Sequence, residues 1–208
     1  MTRAETPGGG ALARLVGARL THDLAGPLST LAAAAGLESG STRSDALMGE
    51  TLAELRTRVQ LYGAVFGHAD AMRGDELAAL LAGAPGAHRV SITLDPDLSS
   101  PLPGPLAQVL LAAAMLGMEA LPRGGSVALG QGSGDALTVL PQGRMAAWPH
   151  ALLERLAGLP PPQPDTPRSL LAPWLLLLAR ELGCGLSFAL GGPASEGRIP
   201  PLLLRAAR

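Results

Sequence analysis

The sequence predicts an α+β chain: a long helical hairpin that pairs with a second copy as a dimeric four-helix bundle, followed by a two-layer α/β sandwich. Three observations carry this prediction. Residues 11–70 show apolar residues at helical spacing and no strand-like alternation. From Arg89 onward, short alternating segments interleave with apolar helical runs. The 208 residues are 47% apolar, enough to bury a core in each part. The predicted division is a flexible leader at 1–10, the hairpin at 11–72 and the second domain at 73–208.

In the first helix, Ala11 to about Leu37, the positions Leu12, Val16, Leu20, Leu24, Leu28 and Leu31 recur at helical spacing, with alanine between them. Gly40 and Ser41 break the run, and Ser44-Asp45 offers a helix N-cap. In the second helix, Met48, Leu52, Leu55, Val59, Tyr62 and Phe66 follow the alternating four-and-three spacing of knobs-into-holes packing. A lone hairpin leaves half of such a seam in water, so two hairpins are expected to pair as a homodimer.

After Met72-Arg73-Gly74 the pattern changes. Asp75 to Ala82 reads as a short helix and Arg89 to Leu94 as a strand. Pro96, Pro101, Pro103 and Pro105 mark a loop, and Leu106 to Leu121 is an apolar helix. Gly124-Gly125 leads into a strand at Ser126 to Leu129, a glycine-rich turn at Gly130 to Gly134, and a strand at Ala136 to Leu140. A short helix is expected at Pro149 to Ala157, a loop at Pro160 to Pro167 and a long helix at Arg168 to Leu182. Strands at Gly185 to Leu190 and Ile199 to Leu204 complete the sandwich.

Composition excludes several chemistries. A net charge of −1 gives no global field toward nucleic acid or an acidic membrane surface. All 16 basic residues are arginine, which rules out a Walker-type lysine, a lysine Schiff base and a lysine general base. Cys184 is single, so it forms no internal disulfide and supplies no multi-cysteine zinc site. His68, His88 and His150 stand in no metal-ligand pattern. The apolar run Leu170 to Ala179 contains Pro173 and falls short of the roughly 20 residues of a membrane span. The residues before Ala11 lack the features of a signal peptide. The expectation is a cytoplasmic protein with neither membrane nor nucleic-acid partners.

Chemistry concentrates in Arg19-Leu-Thr-His-Asp-Leu-Ala-Gly-Pro27. Pro27 removes a backbone hydrogen bond and is expected to bend the helix one turn beyond His22. A neutral imidazole is a competent nucleophile near neutral pH, and attack on phosphorus needs Nε2 unprotonated and the ring held still. Asp23 is placed to accept a hydrogen bond from the ring and to stabilise developing positive charge. Arg19, one turn earlier, is expected to share the face of His22 and neutralise phosphoryl oxygens. The magnesium ion of the transfer would come with the partner.

Histidine, acid, aliphatic residue, two small residues and proline, on the first helix of a predicted dimeric hairpin, resemble the dimerisation and phosphotransfer domain of sensor histidine kinases. Residues 19–28 (Arg-Leu-Thr-His-Asp-Leu-Ala-Gly-Pro-Leu) resemble more closely the ChpT-type histidine phosphotransferases. The likeness extends through Leu-Pro-Arg-Gly-Gly-Ser-Val (121–127) and Ala-Arg-Glu-Leu-Gly-Cys-Gly-Leu (179–186). It implies a second domain resembling a degenerate histidine-kinase ATPase domain. An ATP-binding version would carry an asparagine-bearing helix and an Asp-x-Gly-x-Gly loop. This sequence has no asparagine; the corresponding stretches read Leu110-Leu-Ala-Ala-Ala-Met115 and Leu140-Pro-Gln-Gly-Arg144.

The resemblance therefore implies a phosphocarrier rather than an ATP-dependent kinase. His22 accepts phosphate from a receiver-domain aspartate of a hybrid histidine kinase and passes it to downstream response regulators, with no cofactor of its own. Gly26, one turn after His22, stands where bifunctional kinases often orient water with a polar residue, so phosphate on His22 is expected to be long-lived. Receiver docking is expected on Ala18, Leu24, Ala25 and Gly26, with Leu24 equally readable as bundle core. Arg168, expected at the start of the last long helix, is a further candidate for an acidic partner or a solvated arginine. Two other readings stay open: an ATP-dependent sensor histidine kinase fragment, and a non-catalytic dimeric adaptor.

Overall fold

Alanine and leucine favour helix throughout the N-terminal third, and the computed structural model, which describes residues 9–36, 42–132, 134–160, 164–189 and 199–206, places two long helices there. Helix α1 spans Gly9–Ala35 without interruption at Pro27. Gly9 and Gly10, expected in the leader, form its first turn; the other leader residues, and the break at Gly40-Ser41, lie outside the described residues. Helix α2 spans Thr42–Tyr62 and continues as a π-helical turn, Gly63–Gly67, closed by the His68 N–H donating to the Gly63 carbonyl at 3.0 Å.

Ser44 does not cap α2. The helix starts before it, and its hydroxyl donates to the Ala34 carbonyl at the end of α1, 3.1 Å away. Ser44, Thr51 and Arg58, seven residues apart, form the buried stripe of α2 facing α1. These polar side chains tolerate burial because each bonds a backbone carbonyl: Ser44 to Ala34, Thr51 to Leu47, Arg58 to Gly83 and Asp23. The predicted apolar seam is split. Tyr62 and Phe66 turn into the chain's own core, whereas Leu52 and Val59 stay half exposed.

The remaining elements are α3 (Gly74–Leu81), β1 (Val90–Leu94), α4 (Gly104–Glu119), β2 (Gly125–Gln131), β3 (Leu137–Gln142), α5 (His150–Leu156), α6 (Leu171–Glu181), β4 (Cys184–Phe188) and β5 (Leu202–Ala206). The strands form one mixed sheet in the order β1-β2-β3-β5-β4; β1 and β2 are parallel and the other pairs antiparallel. The α+β class and the element order match the sequence reading. One difference concerns Arg168: it lies in a short 3-10 turn, Pro167–Ser169, ahead of α6 rather than within the last helix.

Leu137, Val139 and Pro141 alternate inward along β3, and α4 lies against that face. Gly117 permits the close approach, since a side chain there would press on Val139, Pro141 and Val127. Val109 through Ala114 are fully buried between the sheet and α6. Each buried leucine there contributes roughly 1.5–3 kcal/mol. The turn entering β2 needs glycine: Gly124 has φ +80, and a Cβ on Gly125 would sit 2.2 Å from the Gln142 carbonyl oxygen. The apolar run of α6 is buried in this core, and no helix among the described residues is long and apolar enough to cross a membrane.

Candidate functional site

Helical geometry sorts the residues around His22. At about 100° per residue, Ala18, Ala25 and Gly26 fall within roughly 60° of His22, and Asp23 lies about 100° round on one side. Arg19 lies on that same side. Accordingly His22 is 67% exposed at its side chain, among exposed Ala18, Ala25 and Gly26, while Arg19 and Asp23 turn inward with side chains 5% and 7% exposed. Leu24 is half-buried.

The His22 Nδ1 lies 2.8 Å from Asp23 Oδ1. An ionised carboxylate only accepts, so Nδ1 carries the hydrogen, and in the neutral form of the ring the lone pair lies on Nε2. Asp23 Oδ2 accepts from Arg19 Nε and from the Tyr62 hydroxyl, the latter at 2.5 Å. Burial pushes the Asp23 carboxyl up, but the Tyr62 and His22 hydrogen bonds and the Arg19 charge outweigh it and hold it below the ordinary carboxylate range. Burial, then the hydrogen bond to Asp23, pushes the Tyr62 phenol above its ordinary value, so it remains a donor.

Arg19 does not share the exposed face of His22. Its Nη2 donates to Glu119 Oε1 at 2.7 Å, its Nη1 to the Pro167 carbonyl at 3.3 Å, and its Nε to Asp23. Burial opposes its charge, yet Glu119 and Asp23 outweigh burial and raise its pKa. Spacing alone put Arg19 on the face of His22; the roughly 60° between them was enough to aim it inward.

Pro27 explains a further contact. Lacking an N–H, it leaves the carbonyl four residues earlier, on Asp23, without its helical donor. Arg58 Nη1 fills that vacancy at 3.1 Å. Arg58 Nε also donates to the Gly83 carbonyl at 3.0 Å and Nη2 to Glu54 at 2.5 Å. The π-helical turn after Tyr62 is held in the same manner: Trp174 Nε1 on α6 donates to the Val65 carbonyl at 2.9 Å, and Gln108 on α4 to Gly67 at 2.9 Å. Tyr62, Phe66 and Trp174 pack in sequence, the first pair tilted and the second edge-to-face, with ring centroids 5.6 and 5.4 Å apart.

Tyr62, Arg58 and Glu119 were not legible as site residues. Tyr62 read as seam, and nothing in the sequence pattern singled out Arg58. Glu119 carried one signal, as the sole charge in the sixteen-residue α4. Arg168 is exposed, on the turn whose Pro167 carbonyl receives Arg19. Gly26 adjoins open space, since a Cβ there would meet nothing within 4 Å. No group of three or more His, Cys, Asp or Glu among the described residues is arranged to hold a metal ion.

Residues 74–194 match the family described as the histidine phosphotransferase C-terminal domain. The chain belongs to that family. The match begins at α3, so the phosphotransferase assignment rests on the sheet domain, and the hairpin carrying His22 precedes it. Among solved structures, the phosphotransferase fold here is similar to one described as a bacterial phosphotransferase, with a TM-score of 0.72, 23% identity and 98% of each chain covered. No curated protein matched the sequence.

Proposed function

We propose that this histidine phosphotransferase is a dimeric carrier in a multistep phosphorelay. His22 takes phosphate from a receiver-domain aspartate of a hybrid histidine kinase and passes it to response regulators in the cytoplasm, without binding ATP. The observation that carries the reading is the exposed imidazole with its Nδ1 against Asp23 Oδ1, a contact that leaves Nε2 as the nitrogen Asp23 does not engage.

In the forward step the Nε2 lone pair forms the N–P bond while the P–O bond to the receiver's aspartate breaks, its electron pair leaving on the carboxylate. The Nδ1 proton stays on the ring against Asp23, whose negative charge offsets the positive charge the ring gains. In the onward step a second receiver's carboxylate attacks phosphorus and the N–P electrons return to Nε2. Each receiver brings its own Mg2+ to screen the phosphoryl oxygens. Arg19 is occupied by protein partners, so in this chain it serves the pair from behind.

Small side chains at Ala18, Ala25 and Gly26 leave room for a receiver to approach His22, and exposed Arg168 lies on the neighbouring turn. A homodimer is supported by Leu28, Leu47, Leu52 and Val59, each 41–52% exposed on the two hairpin helices. ATP independence is supported by α4, whose Leu110 to Met115 are at most 2% exposed and present no polar group to a nucleotide.

The test is incubation of the wild-type chain and His22→Ala with a panel of phosphorylated receiver domains. Wild type is expected to acquire an acid-labile label and His22→Ala none. Failure of both proteins with every receiver, or equal labelling of both, would refute the reading.

A further inference from the structure

We infer that Tyr62 and Glu119 are positioning residues that keep the His22 imidazole in its Nδ1–H tautomer, with Nε2 free for phosphorus. The inference rests on the reading of His22 as the phosphate acceptor and names what orients it.

Among the described residues the His22 ring has one hydrogen-bond partner, Asp23 Oδ1, so its tautomer is only as fixed as that carboxylate. Two donors pin the other oxygen: the Tyr62 hydroxyl and Arg19 Nε. They prevent the carboxylate from turning away and leave Oδ1 aimed at the ring. Arg19 is itself fixed at its far end by Glu119 Oε1 and the Pro167 carbonyl. Tyr62 closes α2, Glu119 closes α4, and Pro167 precedes α6, so three elements outside α1 set the geometry of a residue on α1.

The arrangement opposes an intrinsic preference. Free histidine in water favours the Nε2–H tautomer, which would block the nucleophilic nitrogen and aim the Nδ1 lone pair at a carboxylate. Asp23 removes that preference only while it is held.

The test uses the 15N-labelled full chain at a pH where imidazoles are neutral, reading two-bond 1H–15N correlations. His22 signals are those missing in His22→Ala. Wild type is expected to show a pyridine-like Nε2 and a pyrrole-like Nδ1. Tyr62→Phe keeps the ring against Phe66 but loses the donor, and is expected to move His22 toward the Nε2–H form. Glu119→Gln keeps the volume but loses the charge on Arg19, and is expected to give a smaller move in the same direction. Labelling of His22 by potassium phosphoramidate should slow about threefold to tenfold in Tyr62→Phe, the range of one lost hydrogen bond. Amide spectra confirm that each variant is folded.

A wild-type His22 in the Nε2–H form overturns the inference without any variant, as does a wild-type tautomer in either folded variant. Failure of wild type to accept phosphate from receivers strikes instead at the carrier reading, and leaves the tautomer result to stand or fall by itself.

Discussion

Asp23 serves four partners at once: Oδ1 receives the His22 ring, Oδ2 receives Arg19 and Tyr62, and its backbone carbonyl receives Arg58. The last contact exists because Pro27 has no N–H to offer. Arg58→Met keeps much of the side-chain volume but strands the Asp23 and Gly83 carbonyls. It is expected to cost about 2–4 kcal/mol in urea unfolding, from two buried acceptors left unpaired. A loss below about 0.5 kcal/mol would show that water replaces the guanidinium without penalty. At this scale the contact between His22 and Asp23 was legible in the sequence because the two residues are adjacent. Arg19 was misplaced because its partner, Glu119, is one hundred residues away along the chain. Tyr62 was hidden because its position fits an apolar seam equally well.

Helix α2 carries two stripes. One is polar and buried against α1 (Ser44, Thr51, Arg58); the other, Leu52 and Val59, is apolar and half exposed. Hydrophobic periodicity finds the second stripe and misses the first, since it assumes that polar residues face water. The strands and helices of the sheet domain, by contrast, were legible nearly throughout, because alternation, proline and glycine mark their ends directly. If the exposed stripe is the dimer seam, Leu52→Glu and Val59→Glu place unpaired charges in it. Light scattering is then expected to read twice the chain mass for wild type at tens of micromolar and one chain mass for the double variant. A monomeric wild type would contradict the pairing.

The sheet domain acts on the hairpin as a whole. It seats Glu119 and Pro167 against Arg19, and Gln108 and Trp174 against the turn that follows Tyr62. Glu119 and Gln108, the charged and amide side chains of an otherwise apolar α4, are both spent on these contacts. The core that makes this possible was legible as apolar sequence; its aim at α1 was not, because that aim depends on Arg19 meeting Glu119 and Pro167, 100 and 148 residues away along the chain.

A chase tests the relay role of His22 most directly. The chain is labelled from a phosphorylated receiver, freed of donor and ATP, and mixed with a second, unphosphorylated receiver and Mg2+. Label held on His22 is expected to leave it and appear on the aspartate of the second receiver. Label that never reaches His22, or stays on it in the presence of every receiver tried, would show that His22 is not a relay point between two aspartates.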